Sequence, residues 1–292
     1  MEKPIKISIL EARKWAIQEL VNQNTMSTEI AQENVDFLLT GALDMNYGTL
    51  HANMTRQMPE FLVESWARWI SELITGRPVQ YVLGTAPFYG REFLVDERVL
   101  IPRPETELLV DWVLQDLKAN SQKEIKILDI GTGSGAIVET ILLEDQRVQG
   151  MAADISTDAL TVAQHNAKKF KIRDRISFTE SDVFAQIPAM KFDVILSNPP
   201  YIDPQDQNEM DQSVIDFEPD IALYAAHQGL AIYENIAQQL NNYLKDDGIA
   251  YFEIGYKQGQ AVKDLLRAYI PQAQIDLKQD LSKLDRMIRV KK

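Results

Sequence analysis

The chain has 292 residues, no cysteine, a net charge of −13 at pH 7, and 45% hydrophobic against 25% charged residues. That length corresponds to roughly two domains. The missing cysteine excludes disulfides, thiol catalysis and cysteine-ligated zinc, and the acidity argues against a stable nucleic-acid partner, which needs a basic footprint.

The apolar run at residues 7–10 is broken by Glu11 and is too short for a signal-peptide core, and nowhere do about 18 uninterrupted apolar residues occur. The expectation is a cytoplasmic protein with no membrane partner. Ile9, Leu10, Trp15, Ile17, Leu20 and Val21 recur at helical spacing, as do Val35, Leu38, Leu39, Ala42 and Leu43. A third helix is predicted over 59–75, with Phe61, Leu62, Trp66, Trp69, Ile70 and Leu73 as its stripe, Pro59 at its start and Gly76 as its C-cap. Residues 1–76 therefore read as a small N-terminal helical domain. Over 77–104, short apolar runs alternate with Gly84, Pro87, Gly90, Pro102 and Pro104, the pattern of a β-hairpin linker.

From 105 to 292 helix and strand alternate. Strands are predicted at "EIKILDI", "VQGMAAD", "ISFTES", "FDVILS", "IAYFEIG", "QIDLKQ" and "RMIRVKK", with helices over 136–143, 157–170, 230–244 and 259–269 and a long polar loop after the fourth strand. This is an α/β, Rossmann-like fold, a mostly parallel seven-stranded sheet with an antiparallel edge at its last strands. Its ligands belong at the carboxyl ends of the strands.

Three strand ends outline an adenosine-bearing ligand. "LDIGTGSGA" places Gly131, Thr132, Gly133, Ser134 and Gly135 between the first strand and a helix N-terminus, where backbone approaches a ligand closely. The same run also satisfies the dinucleotide pattern, so by itself it leaves a dehydrogenase open. Asp154 closes the second strand, where a carboxylate accepts from ribose hydroxyls, and Asp182 and Val183 come after the third, beside an adenine ring. At the fourth strand end stands Asn198-Pro199-Pro200-Tyr201. Proline ends the sheet ladder and stiffens the residues beyond it. The Asn198 oxygen and the Pro199 carbonyl would accept both N–H bonds of an amide-like group and orient its nitrogen toward an electrophile, with Tyr201 against its plane.

This Asn-Pro-Pro-Tyr after a glycine loop resembles the amino-methyltransferases that use S-adenosylmethionine. The segments "GRPVQYVLGTAPFYGREFLV", "LIPRPETELLV", "FEPDIALYAAHQGLAIYENI" and "FEIGYKQGQAV" are similar to the release factor glutamine methyltransferase family (HemK/PrmC). The resemblance covers nearly the whole chain. It implies N5-methylation of the glutamine in the Gly-Gly-Gln motif of class-1 peptide chain release factors, with S-adenosylhomocysteine as product and no metal. Carried over residue by residue, it gives the glycine run the methionine part of the cofactor, Asp154 the ribose, and Asp182 and Val183 the adenine. Asn198, Pro199, Pro200 and Tyr201 take the glutamine, Phe88 a wall of that pocket, and Arg103, Glu105 and Thr106 the cofactor or the linker. In this chain "GAIVETILLED" is more polar than the family's alanine-rich helix, and Val183 stands where relatives often carry an aromatic residue.

The alternatives are an adenine-N6 nucleic-acid methyltransferase, which presents a flipped base to the same slot, and a non-catalytic adenosine-binding protein. His51, His165 and His227 lack ligand spacing. The acidic residues between Asp203 and Asp220 read as a solvated flap over the substrate, with Glu218 and Pro219 matching the family. A monomer suffices for this chemistry.

Overall fold

The computed structural model describes residues 6–23 and 26–292. It divides into two compact units, one reaching to Thr85 and including Asp211–Phe217, the other formed by Ala86–Met210 and Glu218–Lys292.

The first unit packs helices Ile9–Asn22, Thr28–Leu43, Tyr47–Ala52, Glu60–Ile74 and Val79–Leu83. Their starts are written in the sequence. Ser8 and Glu11 form a capping box, with Ser8 N–H donating to the Glu11 carboxylate at 2.8 Å and Glu11 N–H to Ser8 Oγ at 3.2 Å. Ser27 and Asn46 cap the next two helices. The buried face of the first helix is Ile9, Ala12, Ala16 and Leu20, while Trp15 is 43% exposed, as Phe61 is at 63%. Counting only large apolar residues therefore mislocates the stripe, because alanines form the side on which helices approach closely. The Trp66 indole donates to the Ala12 carbonyl at 3.2 Å across that contact. Tyr47–Ala52 was not expected, and Val79–Leu83 adds one short helix inside the stretch read as a hairpin linker.

The second unit opens with a hairpin, β1 (Thr85–Phe88) and β2 (Arg91–Leu94), turned by Tyr89 and Gly90 with φ of 51° and 70°. Such a turn needs positive φ at both central residues. Tyr89 is held there by Glu107, which accepts its N–H at 2.8 Å, and by Asp111, which accepts its hydroxyl at 2.6 Å.

The sheet comprises β3 (Ile125–Ile130), β4 (Val148–Asp154), β5 (Ile176–Glu180), β6 (Phe192–Ser197), β7 (Leu244–Glu253), β8 (Gln274–Gln279) and β9 (Asp285–Lys291), in the order β5-β4-β3-β6-β7-β9-β8. Strands β3 to β7 run parallel, and β9 runs antiparallel to both β7 and β8. The expected antiparallel end is present, but the last strand lies inside it and β8 forms the edge. Arg289 of β9 ties this end together through Asp276 of β8 at 2.6 Å and Asp116 of helix Glu107–Ala119 at 2.7 Å.

Helices Glu107–Ala119 and Ala136–Glu144 pack into one hydrophobic core, and Ala231–Tyr243 and Gly259–Tyr269 into a second. Every residue of β6 is buried, as expected for a central strand covered on both faces. Its one charge, Asp193, accepts from Lys126 N–H at 2.8 Å and Lys245 Nζ at 2.7 Å.

The stretch after Tyr201, expected as a long polar loop forming a flap, is built of short helical turns. It holds a 3₁₀ turn Pro204–Glu209 and short helices Gln212–Phe217 and Asp220–Leu223. Its ends are pinned where Ile202 pairs with the segment at Tyr224: Ile202 N–H donates to Leu223 O at 3.0 Å, and Ala225 N–H to Ile202 O at 2.9 Å. Asp203 Oδ1 accepts from Gln205 N–H at 3.0 Å and so starts the 3₁₀ turn from a polar sequence.

Candidate active site

Strand order reverses at β3, with β4 on one side and β6 on the other, and a cavity of about 230 Å³ opens at the C-terminal ends of these strands. Gly131, Gly133 and Gly135 have φ of 71°, 55° and 83°. At Gly131 and Gly133 an added Cβ would meet open space, so the turn leaves room for a ligand beside the backbone. At Gly135 the φ of 83° strains any other residue, and an added Cβ would in addition press on the Glu139 carboxylate at 2.3 Å. Gly135 is the N-cap of Ala136–Glu144, whose free N–H groups face the cavity end of the helix.

Asp154 holds this turn. Its Oδ2 accepts from Gly133 N–H and its Oδ1 from Ser156 N–H, both at 2.9 Å. Each oxygen retains a lone pair for a ligand hydroxyl. Burial raises its pKa above the ordinary carboxylate value against the pull of those N–H donors. Behind it, Asp129 is fully buried and accepts from Thr132 Oγ1 at 2.8 Å through one oxygen. Burial, reinforced by the charge of Asp154, pushes Asp129 to about 7. Glu139 is buried with neither carboxyl oxygen hydrogen-bonded, and its pKa lies well above the usual range for the same reason, with Asp129 adding repulsion.

Val183, on the cavity wall, is held at φ 51°, a region in which a β-branched residue is strained. The Ser181 hydroxyl, which donates to Val183 O at 2.9 Å and accepts from Gln186 N–H at 3.1 Å, keeps the turn in place. Asp182 lies exposed beside it.

Asn198, Pro199 and Pro200 form the opposite wall. The Ser197 hydroxyl donates to Ile130 O at 2.8 Å, which locks the end of β6 to the end of β3. Tyr201 is fixed through its backbone: Gln258 Nε2 donates to its carbonyl at 2.9 Å, and a Cβ on Gly229 would stand 1.9 Å from that carbonyl. Its hydroxyl is pushed up to about 12, mainly by burial and then by the charge of Glu253, with Arg286 and Arg103 opposing. Glu253, 2% exposed at the end of β7, accepts from Thr106 Oγ1 at 2.6 Å. Arg103 donates to Glu218 at 2.6 Å, and Glu218 also accepts from Ile101 N–H at 3.2 Å, so the "PRPETE" and "FEPD" segments close one side of the cavity together.

The cavity lining thus brings together Gly131, Thr132, Gly133, Ser134, Asp154, Asp182, Val183, Asn198, Pro199 and Pro200, along with Arg103 and Thr106. Gly135 and Tyr201 stand just behind that lining. Phe88 is elsewhere: it is 1% exposed in the core, edge-on to Phe93 at 6.0 Å. Ile155, Ile221 and Tyr224, which sequence patterning does not single out, also line the cavity. Their signal is slight, since Ile155 and Ile221 are exposed and all three look like ordinary loop residues. The Tyr224 hydroxyl is buried without a partner. A glycine turn with open space, a carboxylate with free lone pairs, apolar walls and an unpartnered hydroxyl fit an adenosine-bearing cofactor. Among the described residues no group of three or more His, Asp or Glu is placed to hold a metal ion, and no helix is long and apolar enough to cross a membrane.

Comparison with known proteins agrees with this geometry. Residues 106–217 match the methyltransferase small domain and residues 11–84 the PrmC N-terminal domain. A release factor glutamine methyltransferase of Lactococcus lactis is 48% identical over 73% of this chain and 77% of its own length. One from Bacillus cereus is 36% identical over 96% of this chain and 98% of its own. A methyltransferase structure from Pyrococcus furiosus, 14% identical with a TM-score of 0.51 over 70% of this chain and 90% of that one, shares the fold. With that identity extending over both units, the chain belongs to the release factor glutamine methyltransferase family.

Proposed function

We propose that this protein methylates the side-chain nitrogen of the glutamine in the Gly-Gly-Gln motif of class-1 peptide chain release factors. Its cofactor is S-adenosylmethionine. That group, when bound, supplies a methyl activated on a sulfonium and is left as S-adenosylhomocysteine. Gly131, Thr132, Gly133, Ser134 and Gly135 hold its methionine part, Asp154 its ribose, and Asp182 and Val183 flank its adenine.

The observation that carries the reading is the meeting of Asn198 and Pro199 with the glycine turn in one cleft. An amide nitrogen is a poor nucleophile because its lone pair is delocalised into the carbonyl. Asn198 Oδ1 and the Pro199 carbonyl accept its two N–H bonds, aim the nitrogen and stabilise the positive charge that grows on it as the N–C bond forms. The surplus proton leaves to water. Pro200 and Tyr201 hold the backbone and wall of this clamp.

Residues 1–76 serve as the substrate-recognition domain, 77–104 as a linker and 105–292 as the catalytic domain. The protein works as a monomer in the cytoplasm, on a protein and not a nucleic acid, in keeping with its net charge of −13.

Incubation with S-adenosylmethionine and a release factor, then mass spectrometry of the Gly-Gly-Gln peptide, is expected to give a gain of one methyl on the glutamine. An unmodified glutamine alongside a cofactor-binding enzyme refutes the substrate. Asn198→Ala is expected to abolish transfer with the fold intact, and near-normal turnover by that variant would sink the mechanism.

A further inference from the structure

Glu253 takes no part in binding the cofactor or in the transfer step, yet it is a buried carboxylate beside the clamp. Strands β6 and β7 run parallel with Ser197 opposite Phe252, so the next residues are neighbours, Asn198 lining the cleft and Glu253 buried beside it. The Asn198 amide lies near enough to the Glu253 carboxylate to favour its ionised form. Thr106 Oγ1 donates to Glu253 Oε2 at 2.6 Å, and the Tyr233 hydroxyl donates to the Glu253 backbone carbonyl at 2.6 Å. Side chain and main chain are thus both fixed.

An asparagine amide can turn either its oxygen or its NH₂ toward a substrate, and the two orientations have nearly the same shape. An ionised carboxylate only accepts. Beside one, Asn198 must direct its NH₂ inward and its oxygen outward. The geometry points to Glu253 as the positioning residue of the clamp: anchored by Thr106, its carboxylate selects the Asn198 orientation whose oxygen faces the acceptor amide. This rests on the reading that Asn198 binds the glutamine.

The same arrangement makes the clamp sensitive to pH. Burial pushes Glu253 to about 7; Glu105 adds to the rise, while Thr106, Arg286 and Asn198 oppose it. The Tyr201 and Tyr233 phenols also face this site, and Arg103 lies close to Tyr201. As pH falls through that value, Glu253 gains a proton, becomes a donor and competes for the Asn198 oxygen. Turnover should therefore have an acid limb that belongs to this acid.

The test uses the full-length enzyme with release factor. For Glu253→Gln, whose oxygen stays on the Thr106 hydroxyl and so leaves its NH₂ toward Asn198, kcat is expected to fall on the order of 10²-fold, the scale of a small misplacement. The Kd for S-adenosylhomocysteine should stay within about two-fold, and release factor should bind the S-adenosylhomocysteine-loaded variant about ten-fold more weakly. Thr106→Val removes one donor to the ionised acid, so its acid limb should move to higher pH; a limb due to Asp129 would stay in place. The inference is overturned by a Glu253→Gln kcat within two-fold of wild type, by a parallel loss of cofactor affinity, or by an unmoved limb in Thr106→Val. If Glu253→Gln does not fold, Thr106→Val decides. A wild-type enzyme that leaves release factor unmodified defeats the functional reading instead.

Discussion

Asp154 does two jobs with one carboxylate: it fastens the glycine turn through Gly133 N–H and offers its remaining lone pairs to the cofactor. Asp154→Asn replaces one acceptor oxygen with a donor, setting NH₂ against either a backbone N–H or a ligand hydroxyl. A charge-assisted hydrogen bond is worth about 1.5–3 kcal/mol, so the Kd for S-adenosylhomocysteine, measured by calorimetry, should rise by about 10- to 100-fold. Burial raises the Asp154 pKa, so its charge is lost on acidification before that of an exposed aspartate. Cofactor affinity should weaken from that side, and an affinity that stays flat through the whole carboxylate titration range would contradict this role. Asp154 was legible from its place after the second strand. Its bond to Gly133 and the strained φ of Val183 were not, since both depend on how neighbouring turns meet.

At the level of elements, the helix Ala136–Glu144 carries the largest local conflict. Glu139 is buried with both oxygens unpartnered, on a helix whose family resemblance calls for alanine. Such a group costs about 1–3 kcal/mol. Its folded pKa is raised, so the unfolded chain loses the proton first and stability declines as pH climbs above 4.5. Glu139→Ala is expected to stabilise the protein by about 1 kcal/mol, since alanine also favours helix, with a larger gain at pH 8 than at pH 5 by denaturant titration. An equal or smaller gain at pH 8 would mean that Glu139 has a partner in solution. Elsewhere the elements matched the sequence closely: "FDVILS" is β6 and 259–269 is a helix, as patterned. The misses have physical causes. Ala12 and Ala16 form a buried face that apolar counting overlooks, and 204–223 is polar yet starts on a turn capped by Asp203 and is closed at its ends by the pairing of Ile202 with the Tyr224 segment.

For the whole molecule, the acids of the catalytic unit act together. Asp129, Glu139, Asp154 and Glu253 all have raised folded pKa values, two of them at about 7. Each binds its proton more tightly folded than unfolded, so stability should fall as pH rises from about 4 to 7 in the window of these four groups. The midpoint of thermal unfolding is therefore expected to be higher at pH 6 than at pH 8, with part of the difference removed in Glu139→Ala. S-adenosylhomocysteine at a hundred times its Kd should add about 2.7 kcal/mol, or several degrees for a unit of this size. In Asp154→Asn the same concentration should add much less.

What the sequence determined by itself was local or periodic: helix caps, strand runs, the glycine turn, and the stiff Asn-Pro-Pro-Tyr ending of a buried strand. These depend on neighbours within a few residues, and so did the family resemblance, carried by short motifs. Tertiary structure decided what depends on distant segments. It inserted β9 between β7 and β8, buried Phe88 in the core, and paired Arg103 with Glu218, 115 residues away. It also set Asn198 beside Glu253 and Glu253 on Thr106, 147 residues apart in sequence. The amide of "FDVILSNPPY" was readable as a clamp, but the carboxylate that orients it comes from the strand next door, which no spacing along the chain reveals.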